Sequence, residues 1–128
     1  MITRPTIKDV CELAAGLIGT GHPFSDFKCA EGSTYGNKWI GGSIYVYHDD
    51  HSIKCALDVN WFYSGDRPAI HAHVTWNDCD PYRQDGAEVR IYSTRDTYEG
   101  DLIAFGALCL KVTGKAPQTM IEDAEESK

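Results

Sequence analysis

Apolar and polar positions along the chain change period several times, and each period predicts an element. Ile7, Val10, Cys11, Ala14, Leu17 and Ile18 recur at spacings of three and four. That stripe predicts an amphipathic helix over residues 6–18. Thr6 suits its N-cap, with Asp9 at the third position of a capping-box-like pattern where Glu or Gln is usual. Gly19, Gly21 and Pro23 end it.

Residues 22–37 have no sustained period and read as a long ordered connection anchored by Phe24 and Phe27, with room for one short strand from Phe27 to Ala30. The period then becomes two. Ile40, Ile44 and Val46 alternate with Trp39, Ser43, Tyr45 and Tyr47. Ile53, Cys55, Leu57, Val59, Trp61 and Tyr63 alternate with Lys54, Ala56, Asp58, Asn60 and Phe62. Ile70, Ala72, Val74 and Trp76 alternate with His71, His73 and Thr75. Alternation of this kind predicts half-buried strands. The breaks between them, His48-Asp49-Asp50-His51 and Gly65-Asp66-Arg67-Pro68, have turn chemistry.

A one-residue slip would put the apolar set in water, so the two hairpins must oppose residues whose numbers sum to an odd value. With short loops this pairs Val46 with Ile53 and Tyr63 with Ile70. It sets Tyr45 beside Lys54, Trp39 beside Asn60, Phe62 beside His71 and Asn60 beside His73.

A polar loop over 77–87 precedes a shorter strand at 88–93, with Val89 and Ile91 inward. From Leu102 to Val112 the chain is almost continuously apolar, a pattern open to both a helix and a buried strand. Its length, Asp101 as N-cap, Gly114 as a stop and Pro117 beyond favour a helix. The expected fold is α+β: a four-stranded antiparallel meander with an N-terminal and a C-terminal helix on one face. Residues 1–116 form one domain, and 117–128 are an acidic, flexible tail.

Composition narrows the function. The chain has 128 residues and a net charge of -7, with 42% hydrophobic residues. That is one globular domain. No apolar run reaches the ~20 residues of a membrane span, and no signal-peptide pattern opens the chain. Five widely spaced cysteines without a C-x-x-C pair are neither a disulfide framework nor a zinc ribbon. The simplest reading is a reduced, cytoplasmic protein. The acidity argues against direct nucleic-acid binding. It is also uneven: residues 1–42 hold four acids and four bases, whereas 43–114 hold eleven acids and six bases.

The face of the sheet left without helices would carry Trp39, Tyr45, Tyr47 and Phe62, flanked by the acidic turn residues Asp49, Asp50 and Asp66. Tyr and Trp are enriched in interface cores, so this group is the candidate partner-binding surface. A neighbouring loop folded over it as a second small core is the competing structural explanation. His71 and His73 project to the same side of a strand and, with Asp58 next to them, are the candidate metal ligands. They lack a further ligand, and two half-exposed sheet histidines packed on Phe62 are the simpler explanation of the motif.

No nucleophile motif or phosphate loop is present, and Cys79 sits between Asp78 and Asp80, which blunt its reactivity. No cofactor is expected. The reading is a small non-enzymatic protein that binds another protein with a basic surface, an inhibitor occluding a nucleic-acid-handling protein. Small acidic phage or mobile-element anti-defence proteins, such as anti-CRISPR proteins, share this physical profile, although no sequence resemblance is involved. The alternatives are a metal-binding hydrolase or sensor using His71 and His73, and a homodimeric subunit joined through the sheet face.

Overall fold

The computed structural model describes residues 5–31, 38–47, 49–51, 53–64, 67–76 and 88–126. They form three helices and one antiparallel sheet. The order is α1 (Ile7–Gly19), β1 (Lys28–Glu31), β2 (Lys38–Tyr47), β3 (Ile53–Ser64), β4 (Arg67–Trp76), β5 (Glu88–Tyr92), α2 (Tyr98–Thr113) and α3 (Pro117–Glu126).

The start of α1 follows from its sequence. The Thr6 hydroxyl accepts from the Asp9 amide at 3.1 Å, and the Asp9 carboxylate accepts from the Thr6 amide at 2.8 Å. Asp therefore completes the capping box as Glu would, satisfying two amides at the helix end.

The sheet has five strands in chain order, β1-β2-β3-β4-β5, and not the expected four. The added strand is the short edge β1, inside the segment read mainly as a connection. It pairs Cys29 with Ile40 and Ala30 with Trp39. At four residues it is too short for alternation to announce it.

The registers have the expected parity but are shifted by two residues. Val46 opposes Cys55 rather than Ile53, and Trp61 rather than Tyr63 opposes Ile70. A shift of two keeps every side chain on its face, so the hydrophobic pattern does not distinguish the registers. Turn geometry does, and the β2–β3 hairpin adds an irregularity between Val46 and Tyr47.

One face of the sheet supplies Ile40, Ile44, Leu57, Val59, Trp61, Ile70, Ala72, Val74 and Ile91 to a continuous core shared with helix residues Ile7, Val10, Ala14, Phe105, Leu108 and Ile121. Phe105 of α2 sits at its centre, edge-on to Trp61 at 5.6 Å and stacked on Phe27 at 6.4 Å.

The apolar run 102–112 is helical. Its N-cap is Thr97, however, and Asp101 lies inside the helix with only 2% exposure. Asp101 caps the other helix instead: its Oδ1 accepts from the Lys8 amide of α1 at 3.0 Å. Gly114 closes α2 with φ of 76°, the left-handed conformation that glycine adopts without a Cβ penalty. Beyond it, the segment read as an acidic tail carries α3, which buries Pro117 and Ile121.

Candidate functional site

Residues alternating with the core set occupy the opposite face, and the ladder arranges them in rows. Ser43, Asp58, His73 and Arg90 are cross-strand neighbours over β2 to β5. Lys28, Gly41, Asn60, His71 and Tyr92 form the next row, and Ala30, Trp39 and Phe62 the one after. Ser25, at the end of the connection after α1, donates its amide to the Ser43 carbonyl at 2.7 Å.

Aromatic rings cover much of this face. Tyr45 and Tyr47 stack on each other at 6.3 Å and are 37% and 56% exposed. Asp49 and Asp50, in the turn that follows, are exposed as well. His71 stacks nearly parallel on Phe62, with centroids 4.6 Å apart, and meets Tyr92 at 5.5 Å. Phe62 opposes Trp39 directly, not His71. The His71 contact is diagonal, which a planar ring spans readily. Trp39 is half-buried, whereas Tyr92 is 60% exposed. Asp66 lies outside the described residues.

The histidines and Asp58 behave differently from one another. His73 Nδ1 is 3.2 Å from Asp58 Oδ2, an ion pair when the ring is protonated. The other carboxylate oxygen of Asp58 accepts from the Ser43 hydroxyl. The carboxylate thus stands between serine and histidine. A serine nucleophile needs the imidazole next to its hydroxyl, so this order orients the His73 ring without activating Ser43. His71 has its pKa lowered, first by burial and then by the adjacent His73 and Arg90, with Asp58 opposing. It is a neutral ring in an aromatic stack near pH 7. Among the described residues no set of three His, Cys, Asp or Glu side chains is arranged to hold a metal ion.

The structure brings Tyr45, Tyr47, Asp49 and Asp50 together at one end of the face, and Trp39, Phe62, His71 and Tyr92 into a second group. Tyr92 and Arg90 are additions to the expected set. Their signal was the same alternation that turns Ile91 inward. Comparison with known protein families, with curated proteins and with solved structures gave no match.

Proposed function

We propose that the protein is a non-enzymatic binding protein, and that the sheet face opposite the core docks a partner protein with a basic surface. In this reading the helices occupy the core side and leave the tyrosine-bearing side for recognition. The exposed Tyr45–Tyr47 stack running into the exposed Asp49–Asp50 turn carries the proposal. Aromatic side chains bring large contact area with little rotamer entropy to lose, which is the make-up of interface hot spots. Flanking carboxylates add attraction to a cationic partner and speed encounter. A nucleic-acid-handling protein offers such a surface, and occluding it would make this chain an inhibitor.

The test is capture from the native host at low salt with immobilised protein. A basic protein should be retained and released as ionic strength rises. Tyr45→Ala should weaken that complex by about tenfold or more, corresponding to a loss of about 1.4 kcal/mol. Asp49→Lys should slow association. The reading fails if no basic protein is retained, or if both substitutions leave binding unchanged. A concentration-dependent dimer in light scattering, dissociated by Tyr45→Ala, would assign the face to self-association instead.

A further inference from the structure

A second apolar surface lies on the helices. α2 is apolar on two opposite sides. Phe105, Leu108 and Cys109 are buried in the core, whereas Gly100, Ile103, Ala107 and Leu110 are exposed, Ile103 at 73% and Leu110 at 51%. A helix that is apolar all round belongs in an interior. The exposed four recur at alternating spacings of three and four, the a/d repeat of a two-helix seam. Beside them a groove of about 440 Å³ opens between α1 and α2, with Ala15 and Ala104 among its lining.

The symmetry of the seam says what fits it. Gly100 and Leu110 are equally far from Phe105 along the chain, as are Ile103 and Ala107, and Glu99 and Lys111. An antiparallel copy of α2, related by a two-fold axis at the level of Phe105, therefore meets the seam small against large: Gly100 against Leu110, and Ile103 against Ala107. The same axis brings Glu99 level with Lys111 at both ends. A two-fold interface requires such self-complementarity, because each contact is made twice. Glu99 and Lys111 are exposed, and among the described residues neither has an ion pair. The exposed charges bordering the seam and groove are Lys8, Glu12, Glu99 and Lys111, two of each sign, in a chain of net charge -7. A balanced surface attracts neither a basic nor an acidic partner, and it lets two acidic chains approach each other there.

We propose that α2 pairs antiparallel with α2 of a second copy of this chain, through Gly100, Ile103, Ala107 and Leu110, forming a symmetric homodimer. The helices set its size. α2 has 16 residues and is about 24 Å long, and two helices side by side span about 20 Å. That footprint, roughly 480 Å² on each copy, lies at the lower limit for a specific interface, so the dimer is weak and reversible. The Tyr45–Tyr47 stack takes no part in it, and the two surfaces act independently.

The test is sedimentation velocity of the full chain at concentrations from about 1 μM to about 1 mM, the span of weak association. The mean mass should climb from monomer toward dimer. Ile103→Glu, at an exposed position, should weaken the dimer by more than ~10-fold. Glu99→Lys and Lys111→Glu should each weaken it about threefold or more, and the double variant, which exchanges the two charges, should restore it. Tyr45→Ala should leave it intact. A monomer at every concentration would overturn the proposal, as would a dimer indifferent to Ile103→Glu or one lost in Tyr45→Ala. Failure of the double variant to restore pairing would refute the antiparallel arrangement and the proposal with it. Circular dichroism checks the fold of each variant, and if Ile103→Glu unfolds, the charge exchange decides alone.

Discussion

Removing the Asp101 carboxylate should unfasten α1 from α2. Asp101 is 2% exposed, and its Oδ1 accepts from the Lys8 amide, one of the donors at the start of α1 that has no partner within the helix. A hydrogen bond to a charged acceptor contributes about 1.5–3 kcal/mol. The negative charge at a helix N-terminus adds about 0.3–1 kcal/mol. Against this stands the cost of burying Oδ2, which has no hydrogen-bond partner among the described residues. The balance for Asp101→Ala is a loss of about 2 kcal/mol, or roughly 8 °C in Tm for a domain of this size. Asp101→Asn keeps an acceptor for Lys8, gives up the charge, and should fall between. The assay is urea unfolding followed by circular dichroism at pH 7. A double-mutant cycle sharpens it. Thr6→Ala alone should cost about 1 kcal/mol. Because Thr6 and Asp101 cap successive amides, once one cap is gone the turn frays, and the double variant should lose at least ~0.5 kcal/mol less than the two single losses combined. A cost below ~0.5 kcal/mol for Asp101→Ala, typical of an ordinary surface change, or strict additivity with Thr6→Ala, would refute the reasoning.

Three further outcomes are expected. His71 has a pKa below that of the unfolded chain, so the unfolded state binds more protons as pH falls. Stability should therefore drop from the unfolded His value near pH 6.5 downward, and urea midpoints at pH 7.5 and 5.5 should differ less in His71→Phe than in wild type. Burial, helped by Asp101 and Glu12, pushes the Cys11 thiol up to about 12. Iodoacetamide at pH 8 should then leave Cys11 unmodified in the folded protein while the half-buried Cys29 reacts, and peptide mapping showing equal labelling would contradict this. A Cβ at Gly42 would run into the backbone of Asp26 and Phe27, so Gly42→Ala should cost about 1–3 kcal/mol by thermal melting, with a wild-type Tm as the disconfirming result.

How far the sequence led depended on whether an interaction was local. The capping box of α1 lies within four residues and was legible as a partial match, with Asp9 where Glu or Gln is usual. Alternation placed Tyr45, Phe62, His71 and His73 on one face, and put Asp58 within reach of a strand histidine. It could not choose between registers two residues apart, because both satisfy the same burial. The true register brings Asp58 opposite His73, where the expected one set Asn60 beside it. β1 was faint because four residues leave too few positions for a period. Asp101 had the right chemistry for a cap, but the helix it caps lies 93 residues away in sequence. The Cys109–Met120 contact joins two helices across a turn, beyond the reach of either helix's own period. Contacts of this kind leave no trace in local periodicity.

The strands of the sheet are hydrogen-bonded in the order in which they occur in the chain, so every pairing closes a short loop. The bond between Lys8 and Asp101 instead closes almost the whole domain. Short closures cost less entropy and form faster, so folding is expected to nucleate in the meander, with the α1–α2 seam assembling last. Damage to that seam, Asp101→Ala for instance, should then raise the unfolding rate in stopped-flow experiments while leaving the folding rate nearly constant. On this expectation, lifetime in the native state and speed of folding answer to different parts of the chain.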